Sequence, residues 1–142
     1  VLTGETFATP DGRNFVIFYR TPFMGEYAPG DRGAIIVNRF QLSDFYNCVG
    51  FAHYKQKNYN SALGYFDLSH FYDEENPKVL YNIACMNALN ADVDRVIEYL
   101  TYLEHLKTEQ AARLLMQVQK DSDFSRIRNN REFKEFLETI RY

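Results

Sequence analysis

With 142 residues, 46% of them hydrophobic and 25% charged, the chain is long enough to enclose a core of its own, and two cysteines do not make a disulfide framework. A formal net charge of -3, with no basic cluster beyond the mixed run RIRNNREFK, argues against a nucleic-acid-binding surface. The longest apolar run, AIIV, is far too short to span a membrane, and no signal-peptide pattern is present.

The aromatic share is unusual: 11 Tyr and 12 Phe, with no Trp. Tyrosine joins an apolar body to a polar tip, so half-buried and contact positions are expected for many of these rings, beside an aromatic-rich core. The chain starts at Val1 rather than Met, so a further segment is expected before it, and the compartment stays open.

Residues 1–42 read as a β-rich extension. The stretch TFATPDGRNFVIFYR sets a Pro-Asp-Gly turn between two β-rich runs, which predicts a hairpin. Phe15, Ile17 and Tyr19 alternate with Val16, Phe18 and Arg20, and apolar residues in both sets predict a strand covered on both sides. TPFMGEYAPGDRG is a loop, broken by Pro22, Gly25, Pro29, Gly30 and Gly33. The β-branched residues of AIIVN favour a third strand.

From residue 43 the pattern becomes helical, with a period of 3.6. The first helix is expected over Asp44 to Lys57 with Ser43 as its N-cap, and the second over Asn60 to Tyr72. Pro77, suited to a first helical turn, opens the third, over Lys78 to Leu89. Asp92 caps a fourth with the apolar stripe Val96, Ile97, Leu100 and Leu103. Thr108 caps a fifth over Glu109 to Lys120. Asn129, with Glu132 three residues on, has the spacing of a capping box for the last helix, whose apolar face is Phe133, Phe136, Leu137 and Ile140.

Aligning YNCVGFAHYKQKNYNSALGYFDLS with LYNIACMNALNADVDRVIEYLTYL pairs Tyr46 with Leu80, Val49 with Ile83, Gly50 with Ala84, Ala62 with Val96, Phe66 with Leu100 and Ser69 with Leu103, each 34 residues apart. A small residue at Gly50 and at Ala84 lets two helices approach, and a larger one would overpack the crossing. On these residues the segment from Ser43 to about Leu106 resembles the tetratricopeptide repeat family, whose unit is a 34-residue helix hairpin. Val96 and Leu103, where the family has small residues, and the shifted proline of DEENP depart from its pattern. The tail DSDFSRIRNNREFKEFLETIRY is similar to the segment that follows the last repeat in many bacterial tetratricopeptide proteins, and it would cap the exposed end of the stack. The expected fold is mainly α: a short α-solenoid of tetratricopeptide-type hairpins (repeats about 43–76 and 77–110, capping helices 109–142) with a small N-terminal β-hairpin extension, in two parts, 1–42 and 43–142.

Little in the sequence points to catalysis. His53, His70 and His105 have no metal-ligand spacing, Asp121 and Asp123 read as cap and turn residues, and TPDGRN is a hairpin turn rather than a phosphate loop. No nucleophile motif is present, and Cys48 and Cys85 read as buried thiols. No metal or cofactor is expected. The resemblance implies a non-catalytic scaffold that binds a peptide or protein partner in the groove lined by the first helices: Asn47, Phe51 and Tyr54 from one unit, Tyr81, Cys85 and Ala88 from the next. The family's clamp for a terminal carboxylate uses Lys and Asn, and the positions here are Asn47 and Phe51, so an aromatic, apolar groove is expected instead. Residues 1–42 filling that groove is an equal expectation. The alternatives are a self-associating subunit forming a homodimer, and an accessory domain of a larger enzyme.

Overall fold

Turn chemistry and alternation set the first part of the chain. The computed structural model describes residues 2–20 and 32–140. Three strands, β1 (Leu2–Ala8), β2 (Asn14–Arg20) and β3 (Arg32–Asn38), form an antiparallel sheet in the order β1-β2-β3. The hairpin turn is Pro10–Asp11–Gly12: Gly12 N–H donates to the Thr9 carbonyl at 2.8 Å, and Gly12 sits at φ +66°, where a side chain would be strained. The loop expected over residues 21–33 lies largely outside the described residues.

Register decides which strand residues are buried. Phe15 pairs with Val37 and Ile17 with Ile35, while Phe7, Val16 and Ile36 stand side by side on the other face. Ile17 is buried with Leu42 and Tyr46, and Phe15, Val37, Tyr65, Leu68 and Tyr72 close around them. Val16 is only half-buried and Ile36 is 69% exposed. Among the described residues, the two-sided cover expected for β2 is found on the Phe15–Ile17 face, where Leu42, Tyr46 and Tyr72 pack.

The helical part starts earlier than residue 43. Helix α1 spans Arg39–Lys55 and is capped by Asn38, whose side chain accepts from Gln41 N–H at 2.9 Å while Gln41 Oε1 accepts from Asn38 N–H at 3.0 Å. Ser43 is not the cap. It lies buried inside α1, where Ser69 Oγ donates to its carbonyl at 2.6 Å and its hydroxyl lies 3.0 Å from Ser69 Oγ. Strand β3 runs straight into α1, so the first free backbone N–H groups belong to residues after Asn38, not after Ser43.

Helices α2 (Tyr59–Tyr72), α3 (Pro77–Leu89), α4 (Val93–His105), α5 (Glu109–Gln117) and α6 (Arg131–Thr139) follow, with one turn of 3-10 helix at Ser122–Phe124. Asn76, Asp92 and Thr108 cap α3, α4 and α5. The cap of α6 is Asn130, accepting from Phe133 N–H at 3.0 Å, one residue past the expected Asn129. Helix α1 packs along α2, α3 along α4, and α2 against α3; α5 and the 3-10 turn lie on α3, and α6 lies on α4.

The two hairpin turns repeat at a spacing of 34 residues. Lys57 and Ala91 both take left-handed backbone angles, at φ 59° and 60°. Lys57 N–H donates to Tyr54 and Ala91 N–H to Ala88; Asn58 N–H donates to His53 and Asp92 N–H to Asn87. Asn58 and Asp92 then cap the helices that follow. At the crossing of α1 and α2, Gly50 lies against the buried Phe66 ring, and a Cβ there would stand 2.6 Å from it. The main core runs from Ala62 and Phe66 through α3 and α4 to Phe124, Ile127, Phe133 and Ile140 of the tail. Phe136 and Leu137 pack against it half-buried. Among the described residues the protein is mainly helical, with a small three-stranded sheet at its N-terminal end.

Candidate functional site

Helices α1, α3 and α5 present side chains to one groove of about 380 Å³. Asn47, Cys48 and Phe51 line it from α1, Lys78, Tyr81 and Asn82 from α3, and Leu114 and Gln117 from α5. Asn82 Nδ2 donates to Asn47 Oδ1 at 2.8 Å and ties α3 to α1 across the floor. Phe51 is 43% exposed, stacked on Tyr54 with ring centroids 5.7 Å apart. Lys55 Nζ lies 4.9 Å from the centroid of the Phe51 ring, a cation over a π face.

Beneath the groove is a smaller pocket of about 120 Å³ that shares Phe51, Tyr81 and Asn82 with it. Tyr54, Cys85 and Met86 add to its walls, and Asp121 and Asp123 enter from the tail. Tyr81 donates its hydroxyl to Asp121 Oδ2 at 2.7 Å, and Tyr54 donates to Asp123 Oδ1 at 3.1 Å. Asp121 Oδ1 accepts from Asp123 N–H at 2.9 Å, the cap that opens the 3-10 turn. The turn places Phe124 against Tyr81, centroids 6.0 Å apart.

Burial and negative charge set the protonation of this site. Burial raises the Tyr54 and Tyr81 phenols far above their ordinary value; the hydrogen bond to Asp123 adds to it for Tyr54, and the nearby Cys85 thiol and Asp121 add to it for Tyr81. The Cys85 thiol is pushed well above its usual value by burial first, then by the charges of Asp121 and Asp123. A thiol held protonated is a poor nucleophile, because the thiolate is the reactive form. Asp123 is also raised, mainly by burial, against the Tyr54 hydrogen bond that favours its carboxylate. Cys85 Sγ and one oxygen each from Asp121 and Asp123 lie within 4.8 Å of one another, the set among the described residues with donors for a cation.

The six residues expected in the groove separate into three kinds of position. Asn47 and Phe51 line the open groove, and Phe51 lines the pocket as well. Tyr81 also lines both, although it is only 6% exposed, while Tyr54 and Cys85 line the inner pocket alone. Ala88 is fully buried in the main core and lines neither. Among the described residues, the strands cover Leu42 and Tyr46 near the start of α1, and none of them lines the groove; Asp121 and Asp123 of the tail line the smaller pocket beside it. Asp121 and Asp123 are cap and turn residues as their sequence suggests, yet their carboxylates also face Tyr81 and Tyr54, about 40 and 70 positions earlier. Cys48 is exposed and Cys85 buried, both as free thiols. No helix among the described residues is long and apolar enough to cross a membrane. Comparison with models of protein families and with curated proteins returns no match.

Proposed function

We propose that residues 39–140 form a short solenoid of tetratricopeptide-type hairpins whose role is non-catalytic: a scaffold that docks a peptide or protein partner. One observation carries this reading. Alternate helices α1, α3 and α5 line a single groove, and a large aromatic side chain, Phe51, lines it while 43% exposed. The matching turns at Lys57 and Ala91 support the repeat, since a 34-residue unit is what brings alternate helices onto one face. An exposed aromatic beside an enclosed pocket is the kind of anchor whose loss removes ~2 kcal/mol or more of binding.

The test uses a library of random displayed peptides selected on the full chain. Selected peptides are expected to bind Phe51→Ala at least tenfold more weakly, with a nearly unchanged melt for that variant. Tyr81→Ala is expected to lower the melt, because its ring is buried against Phe124 and its hydroxyl is bonded to Asp121. Peptides that bind Phe51→Ala as well as the parent chain would reject the groove as the docking surface.

Self-association is a second reading, favoured by the outward face of the sheet, where Phe7 and Ile36 flank Val16 and are 55% and 69% exposed. Light scattering on the parent chain and on Ile36→Lys separates the two: a dimer that Ile36→Lys dissolves supports this reading, and a monomer throughout removes it.

A further inference from the structure

We propose that strand β3 is the edge along which two copies of this chain pair, antiparallel and centred on Ile35, so that their sheets join into one. The inference goes beyond the docking reading and does not rest on it, since no residue of β3 lines the groove. It shares with the second reading only that the chain self-associates, and it places the contact on the edge of the sheet rather than on its face.

The two edges of the sheet are built differently. Among the described residues, β1 and β3 each pair with β2 alone. A free edge presents a row of unpaired N–H and C=O groups to any other strand, and a bulge, a charged residue or a proline blunts it. Strand β1 has two of these devices: its register with β2 shifts between Leu2 and Thr6, and Glu5 lies within the shifted stretch. Strand β3 has none of them along its middle. All seven of its residues pair with β2 without a shift, and the run from Gly33 to Val37 holds no charge and no proline. Ala34, Ile35 and Ile36 are exposed in succession. Neighbours in a strand point to opposite faces, so among the described residues β3 is open on both faces as well as along its edge. A flat, apolar, unguarded edge of this kind takes up another strand.

The sequence of β3 selects a second copy as that strand. Directly opposite residues in an antiparallel pair share a face of the sheet, so a two-fold axis passes between one residue and its own copy. Strand β3 runs from Arg32 to Asn38, and pairing over its whole length puts Ile35 at the axis. Ile35 then meets Ile35 of the second copy, Ala34 meets Ile36, Gly33 meets Val37 and Arg32 meets Asn38. Each small residue falls opposite a larger one, and no charge falls opposite a like charge. Such an interface uses the same patch on both copies, so it closes at two. The joined sheet then ends at both sides on β1, the strand that carries the bulge and Glu5. Pairing through β3 thus accounts for a sheet that guards one of its edges and leaves the other bare.

The test is sedimentation equilibrium on the full chain and on charge variants at the centre of the seam. The parent chain is expected to dimerise as its concentration rises. Ile35→Lys and Ile35→Glu are each expected to weaken the dimer at least tenfold, because each sets two like charges directly opposite. Mixed in equal amounts, the two variants are expected to restore it as a heterodimer, which neither a face contact nor a failure to fold would produce. Ile36→Lys is expected to keep the dimer, because its new charge would stand opposite Ala34. Hydrogen exchange on the parent chain needs no variant: amides between Gly33 and Val37 are expected to gain protection with concentration, and those of β1 are not. A dimer that Ile36→Lys dissolves and the Ile35 variants leave intact would overturn edge pairing in favour of the face. A mixture that stays monomeric while parent β3 amides show no concentration dependence would overturn it as well. A monomer at every concentration would overturn it and leave the docking reading standing; β3 amides already protected in that monomer would assign the edge to another segment of the same chain.

Discussion

Gly50→Ala and Gly64→Ala make the same chemical change in neighbouring helices and are expected to move stability in opposite directions. At Gly64 an added methyl group meets nothing within 4 Å, so the variant gains only helix propensity, ~1 kcal/mol. At Gly50 the same methyl group lies 2.6 and 2.7 Å from two carbons of the Phe66 ring and 3.2 Å from the Ala62 carbonyl oxygen. Carbon atoms in good contact sit ~3.5–4.0 Å apart, so the overlap is ~1 Å. Phe66 is 1% exposed and has no solvent-side route away, and the Ala62 carbonyl is part of helix α2. Overpacking of this kind costs ~1–3 kcal/mol. The propensity gain cancels between the two variants, so they should differ by that ~1–3 kcal/mol. At ~3–4 °C per kcal/mol for a chain of this size, Gly50→Ala should melt ~3–12 °C below Gly64→Ala. Thermal melts by circular dichroism, with urea titrations as a check, measure the gap, and the leucine pair should widen it. A Gly50→Ala variant melting at or above Gly64→Ala would refute the helix crossing and the 34-residue register built on it.

Two more predictions concern the tail. Deleting the chain from Asp123 onward removes, among the described residues, four buried apolar side chains, Phe124, Ile127, Phe133 and Ile140, each worth ~1.5–3 kcal/mol, a loss comparable to the entire stability of a typical domain; loss of the cooperative melt is expected, and an unchanged melting temperature would show that the tail is no cap. Asp123 is raised above its ordinary value of 3.8, so the native state binds its proton more tightly than the unfolded chain does; relative to Asp123→Asn, the parent chain should therefore lose stability as pH rises from below 3.8 through the raised pKa, and parallel pH–stability curves for the two chains would remove Asp123 as the cause.

Local signals in the sequence carried most of the helical half. Pro77, Asp92 and Thr108 mark helix starts because each satisfies or avoids an orphan N–H group by itself, without help from distant residues. Ser43 misled because Ser-Asp before an amphipathic run has the chemistry of a cap, while the true box, Asn38 with Gln41, is hidden behind a β-branched run that flows directly into the helix. Asn129 and Asn130 are the same residue type side by side, and only backbone geometry chooses between them. The site was less legible. Periodicity places Asn47, Phe51, Tyr54 and Tyr81 on first-helix faces, but it says nothing about what covers those faces. The cover comes from Asp121 to Phe124, reached only through the path of α5, and no local pattern encodes that contact.

That contact ties the cap to the pocket. Asp121 does two jobs with one carboxylate: Oδ1 caps the 3-10 turn and Oδ2 holds the Tyr81 hydroxyl. The turn in turn seats Phe124 between Tyr81 and Phe133, the latter stacked on it at 6.0 Å and 2°. The tail packs Phe124, Ile127, Phe133 and Ile140 into the core built by α3 and α4, and it also delivers the two carboxylates to the pocket. Carboxylates placed in a part-buried pocket oppose stability unless a partner neutralises them, and Asp123 bears that cost in its raised proton affinity. The acidic pair thus fastens the tail to α1 and α3 through the Tyr54 and Tyr81 hydroxyls, at the cost that Asp123 shows in its raised proton affinity.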